Sequence, residues 1–236
     1  MMLEFKSSRF MVVLFAMTAL ALFAGQATAG AIVSDIIDEI DDFVGVLGPM
    51  VSNSDLADAS NGGSTAFAGG GYGTDHASVI NGAVQCCNTG DGLLPHGGGV
   101  LEVFLDTSVN TGGYDITSIV TTTGWNSASR ADHQYRLDLR QVGGDYSPII
   151  TVNHDNHPHG ANEGTMLTVS DDAGGLLGSG IDAIRYIVFD DLLNGNDAFQ
   201  EVDVFGTATQ VIPEPSAIVM LMTGILSVMG LVRRGR

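Results

Sequence analysis

The sequence predicts an all-β domain, a β-sandwich, set between two targeting segments. Three observations lead there. Short apolar runs alternate in period two, as in Tyr135, Leu137 and Leu139 against Gln134, Arg136, Asp138 and Arg140, the mark of a half-buried strand. Such runs recur along residues 100–206 with turn-forming residues between them. Glycine is abundant, at 32 of 236 residues, which suits tight connections between many short strands.

Taken in order, the chain begins with an export leader. Lys6 and Arg9 precede an apolar run from Phe10 to Ala24, and Ala27-Thr28-Ala29 has the small residues a signal peptidase reads. Residues 1–29 are therefore expected to be removed. In residues 30–50, Ile32, Val33, Ile36, Ile37, Ile40, Phe43 and Val44 fall at spacings of three and four among acidic residues. That spacing predicts a short amphipathic helix with Ser34 as N-cap and Gly48-Pro49 as stop. From Val51 to Gly99 the composition reads as long loops, with Ala77-Ser-Val-Ile80 as a small strand. Strands are then expected around Leu101–Leu105, Tyr114–Val120, Gln134–Arg140, Ile149–Val152 and Met166–Val169, and last at Val202–Phe205. Between them, Ile184–Phe189 is apolar on both parities apart from Arg185, as in a strand covered on both sides. The domain proper spans residues 51–210.

The tail, residues 211–236, has its own pattern. Pro213-Glu214-Pro215 precedes an uncharged apolar run from Ala217 to Val232 and then Arg233, Arg234 and Arg236. At ~1.5 Å per residue the run spans ~24 Å, slightly short of a ~30 Å hydrocarbon core, so a transmembrane helix with snorkelling arginines is expected. The arginines should stay cytoplasmic and leave everything upstream outside. This order of elements resembles the PEP-CTERM sorting signal of bacteria. The resemblance implies recognition by an exosortase and cleavage near Pro213-Glu214-Pro215. It further implies transient anchoring in the inner membrane and delivery to the cell surface or extracellular matrix.

Charge excludes some partners. Between Gly30 and Val211 there are 25 acidic residues against four arginines and no lysine, a net charge of about −21. Nucleic acid and anionic lipid would be repelled. The acidity fits either a solvated surface or oxygen ligands for a divalent cation, chiefly calcium. Cys86 and Cys87 are neighbours, which rules out a disulfide framework and leaves a vicinal bridge, an intermolecular link or two thiols.

Three stretches of the body resemble the galactose-binding-like jelly roll of discoidin and coagulation-factor C-type modules. They are Ala77-Ser-Val-Ile-Asn-Gly82, Tyr114-Asp-Ile-Thr-Ser-Ile-Val120 leading to Trp125, and Ile184-Arg-Tyr-Ile-Val-Phe189 followed by Phe199-Gln-Glu-Val-Asp-Val-Phe-Gly206. The resemblance implies a jelly-roll β-sandwich. It also implies a structural calcium joining the early turn to the final strand, here Asn81 and Glu201, with asparagine at Asn81 where that family usually has aspartate.

Catalytic patterns are sparse. His154, His157 and His159 form the densest set of transition-metal ligands, on a loop stiffened by Pro158 that lacks a fixed fourth ligand. No Gly-x-Ser-x-Gly elbow, His-Glu-x-x-His or phosphate-cradling loop occurs. The expectation is a non-enzymatic exported β-sandwich that binds glycan or packs in a matrix. Its sugar-facing aromatics would be Trp125, Tyr72 and Tyr114, with Trp125 equally suited to the core. The competing expectation is a secreted hydrolase or metal-dependent enzyme built on the His154–His159 loop.

Overall fold

Why residues 199–204 are buried on both faces follows from the way the chain wraps them. The computed structural model describes residues 30–38, 54–69, 71–83, 92–95, 97–124, 130–155, 164–189 and 197–210, with the side chains of 71–74 excepted. Eleven strands lie among them: β1 (Ala31–Ile37), β2 (Ser64–Ala68), β3 (Gly71–Thr74), β4 (Leu93–Pro95), β5 (Val100–Phe104), β6 (Tyr114–Gly124), β7 (His133–Gln141), β8 (Tyr146–His154), β9 (Gly164–Asp171), β10 (Gly178–Val188) and β11 (Phe199–Ala208). All pairings are antiparallel. One leaf runs β2-β5-β10-β7-β8 and the other β3-β4-β11-β6-β9-β1. The leaves join where β10 meets β6, at Gly178↔Ile116 and Ile181↔Tyr114. This is the all-β sandwich that the alternating strands predicted.

The core lies between the leaves. Leu137 and Leu139 of β7, Ile184 and Val188 of β10, Ile116 and Ile119 of β6, and Val202 and Val204 of β11 all point into it and are buried. At one end the rings of Tyr135, Tyr186 and Phe199 stack edge to face or tilted, with centroids 5.0 to 5.8 Å apart. The Tyr186 hydroxyl and Thr121 Oγ1, 2.9 Å apart, satisfy each other inside the core.

Two expectations are corrected. Residues 31–37 form an edge strand on β9, with Val33 opposite Val169 and Ile36 opposite Leu167, where a helix was expected. The run Ala-Ile-Val-Ser-Asp-Ile-Ile is rich in β-branched side chains, which favour a pleated edge, and a bulge at Ser34 shifts its parity and imitates helical spacing. Residues 76–80 form a 3-10 turn in place of the small strand, with Asp75 capping it by accepting from the Ala77 amide at 3.2 Å. Among the described residues no helix is long and apolar enough to cross a membrane. The leader (1–29) and the tail with Pro213, Glu214, Pro215, Arg233 and Arg234 lie outside the described residues, as do Ile40–Pro49.

One end of the sandwich gathers several strand ends. Gly124 pairs with Gly164 and His133 with His154. The ends of β6, β7, β8 and β9 therefore gather at this end of the sandwich.

Candidate functional site

The outward face of β11 is where the structure concentrates unsatisfied chemistry. Past a bulge at Gln200, Val202 and Val204 point to the core, so Glu201 and Asp203 point the other way. That face is covered by residues 54–63 and by the 76–80 turn. Asp55 bridges to Phe205, and the Leu56 amide donates to the Val204 carbonyl at 2.8 Å. Gly63 permits the tight wrap, because a Cβ there would lie 1.8 Å from the Ala57 carbonyl oxygen.

Asp55, Glu201 and Asp203 thereby converge, each offering a carboxylate oxygen within 4.8 Å of the other two. All three are at most 2% exposed, as is the neighbouring Asp58. One oxygen of Asp55 is used by the fold, accepting from the Val204 amide at 2.7 Å and the Ala57 amide at 2.9 Å. Glu201 Oε1 accepts from the Gly82 amide at 3.3 Å, and Asp58 Oδ1 accepts from the Ser60 amide at 2.6 Å. Four oxygens of this group, Asp55 Oδ2, Asp58 Oδ2, Glu201 Oε2 and Asp203 Oδ2, are buried without a hydrogen-bond partner.

Buried carboxylates lacking counter-charge resist ionisation. Burial, then the charge of Asp203, pushes Glu201 up to about 9. Burial and the charges of Asp55 and Asp58 push Asp203 up to about 7. Asp55 is raised by burial, against the pull of its hydrogen bonds from Val204 and Ala57. Left without counter-charge, these carboxyls hold their protons to higher pH than ordinary carboxylates do. The donors are all oxygens and mostly carboxylates, a set that fits a hard divalent cation such as calcium and not a soft metal.

The expected pair Asn81 and Glu201 thus meets at one place but divides in role. The Asn81-Gly82 turn does come to Glu201, through the Gly82 amide. Asn81 itself is exposed, and its Oδ1 accepts from the Ala83 amide at 2.9 Å, so its side chain serves its own turn. Asp55, Asp58 and Asp203 were missed in the sequence. The available signal was Asp203 two residues from Glu201 on the same strand face, and Asp55 and Asp58 three apart in a segment that reads only as polar loop.

The other expected residues are dispersed. Tyr114 begins β6 and is 8% exposed, with its hydroxyl donating to the Asp106 carbonyl at 2.5 Å, so its ring belongs to the core and is no platform for a sugar. Tyr72 lies on β3, with no side chain described, and Trp125 lies outside the described residues between β6 and β7. His154 Nε2 is 2.8 Å from Asp38 Oδ1, tying the end of β8 to the end of β1. His157 and His159 lie outside the described residues.

No family model matches the chain, and no curated protein matches it in sequence. Among solved structures it is similar to a family 32 carbohydrate-binding module from C. perfringens NanJ in complex with galactose, at 14% identity and a TM-score of 0.44, covering 64% of this chain and 98% of that one. It is also similar to a Clostridium perfringens module in complex with GalNAc-β-1,3-galactose, at 12% identity and a TM-score of 0.42, covering 64% and 99%. A third is an F5/8 type C domain from Bacteroides fragilis, at 11% identity and a TM-score of 0.39, covering 67% and 100%. Likeness of this size does not assign a family or a ligand.

Proposed function

We propose that the protein is an exported, non-catalytic β-sandwich that carries one structural divalent cation, calcium by its ligand chemistry, and that it binds glycan or builds matrix at the cell surface. The observation that carries the cation reading is the set of four buried, partnerless carboxylate oxygens at Asp55, Asp58, Glu201 and Asp203. Bound there, a cation supplies the positive charge these groups lack. Asp55, Glu201 and Asp203 would hold it and so fasten residues 54–63 to β11.

The glycan reading rests on Trp125, in the segment between β6 and β7. Trp125 is followed by Asn126 and Ser127, a ring beside polar groups of the kind that receives the apolar face of a sugar. Export rests on the leader and on the PEP-CTERM-like tail, with signal peptidase and exosortase as processing partners.

Metal analysis of protein dialysed against calcium, followed by chelator, tests the cation. One equivalent is expected, with loss of thermal stability on removal, and zero bound metal overturns it. A glycan array compared between the parent and Trp125→Ala tests the sugar reading, which fails if no binding depends on that residue. Intact mass of the secreted protein tests the processing. An uncleaved tail would leave a plain membrane-anchored domain.

A further inference from the structure

We propose that Gly30 is the mature N-terminus and that its α-ammonium docks on the Asp172 carboxylate, a latch that exists only after the leader has been removed. The inference rests on the export reading above. It deepens that reading by giving the cleaved end a place in the fold.

Gly30 adjoins the edge strand β1 and is exposed. Its carbonyl accepts from the Asp172 amide at 3.0 Å, and the next residue, Ala31, pairs with Asp171. The Asp172 carboxylate lies directly against it. A Cβ on Gly30 would stand 3.1 Å from Asp172 Oδ2, 3.2 Å from Cγ and 3.3 Å from Oδ1. The amino nitrogen is bonded to the same Cα, at about 1.46 Å. Beside it, Asp171 is 7% exposed; its Oδ2 accepts from the Gly175 amide at 2.6 Å, while its Oδ1 has no partner.

In the uncleaved chain the Gly30 nitrogen is a neutral amide with one hydrogen. Hydrolysis of the Ala29–Gly30 bond adds hydroxyl from water to the Ala29 carbonyl, which departs with the leader as a carboxylate. The Gly30 nitrogen takes protons and becomes an ammonium with a unit charge and three donors. The Asp172 carboxylate then has beside it a counter-ion that the precursor lacks.

The sequence makes the test clean. Lys6 is the sole lysine and leaves with the leader, so the mature chain has one primary amine, at Gly30. The full chain is expressed in a secreting host and the mature protein is recovered. Its intact mass and its rate of acylation by an amine-reactive ester near neutral pH are measured, for the parent and for Asp172→Asn. Asp172 is exposed and holds Gly30 through its backbone, so the variant should fold, which near-UV circular dichroism checks. A first residue of Gly30 is expected, with the amine reacting roughly two- to five-fold faster in Asp172→Asn. Equal rates in a protein beginning at Gly30 overturn the latch alone. A mature chain that begins elsewhere overturns the cleavage site and the latch together, and an uncleaved leader overturns the export reading as well.

Discussion

Two buried carboxylate sites, one on each leaf, behave in opposite ways. Asp138 of β7 has a fully shielded side chain, yet it accepts four hydrogen bonds. Arg136 donates through Nε at 2.7 Å and Nη2 at 3.0 Å, and Arg185 through Nε at 3.1 Å and Nη2 at 2.6 Å. The Arg185 guanidinium in turn lies 4.0 Å from the centre of the Tyr146 ring. Burial pushes the Asp138 carboxyl up, but the bonds and charges of the two arginines outweigh it and leave it below the ordinary carboxylate range. Glu201 and Asp203 of β11 are equally buried, and among the described residues no ion pair reaches them. Their carboxyls are driven up. Equal burial thus gives opposite ionisation: two arginines hold Asp138 charged, whereas Glu201 and Asp203 are pushed toward the protonated form, the setting in which the proposed cation would supply the missing charge.

Removing that charge should give the largest effect. At cation concentrations near 100 times Kd, binding adds about 2.7 kcal/mol. For a domain of this size that is a fall of roughly 5–10 °C in Tm on adding chelator. In Glu201→Gln or Asp203→Asn the chelator-dependent part should shrink or vanish. Thermal melts with and without chelator read both, and a chelator-insensitive parent would erase the contrast between the two sites. Arg185→Met should cost somewhat less, about 2 kcal/mol, because Asp138 loses two charge-assisted bonds while keeping those from Arg136. That loss should be the same with and without cation. If it depends on cation, the two sites are coupled through the sandwich and are not separate cases.

A third pair of buried groups sharpens the comparison through pH. His133 is fully buried, with Nε2 3.0 Å from Thr123 Oγ1 and 3.2 Å from the Thr165 carbonyl. Burial holds its pKa down at about 3, against the Thr165 bond that favours the cation. Its folded value is below the unfolded one, so its contribution is full above about pH 6.5 and is lost as pH falls toward 3. Asp197 is the reverse. Burial pushes it up to about 8, while Oδ2 accepts from the Gln134 amide at 2.8 Å. The folded state keeps a proton that the unfolded state releases above about pH 4, so this contribution declines as pH rises from 4 to 8. Between pH 4 and 6.5 the two slopes oppose. Asp197→Asn removes one of them, and its stability should climb with pH across that window by up to about 1.4 kcal/mol per unit relative to the parent. Denaturant titrations at several pH values, in saturating cation, measure the difference. Parallel curves for parent and variant would mean that Asp197 ionises normally.

Strand alternation made most of the sandwich legible. Leu137 and Leu139 face inward as their period of two requires, and the doubly apolar run at Ile184–Phe189 falls largely in β10, which pairs with both β5 and β7. What failed was local. Ala31–Ile37 satisfies both a helical and a strand pattern once a bulge is allowed, and only the free edge of β9 decides between them. At the candidate site Glu201 and the Asn81-Gly82 turn were singled out only through the resemblance of their stretches to galactose-binding-like modules. Asp55 and Asp58 were not, since their role depends on a segment folding back over β11, and nothing in a polar loop sequence announces which strand it will cover.

The smallest expected effect tests that last point. Asn81 stands where a resemblance at the level of sequence would place a ligand, but its Oδ1 is spent on the Ala83 amide and it is exposed. Its contribution to the site runs through the backbone, since the turn it stabilises presents the Gly82 amide to Glu201. Asn81→Ala should therefore lose the local bond, worth about 0.5–1 kcal/mol, and change cation affinity by less than about two-fold. Isothermal titration with calcium would read the affinity and a melt the stability. An affinity loss of ten-fold or more would mean that the amide turns inward to ligate once the cation is present. The carboxylates of Asp55, Glu201 and Asp203 would then be an incomplete set, and the contrast with Asp138 would rest on a turn rearrangement as well as on a missing charge.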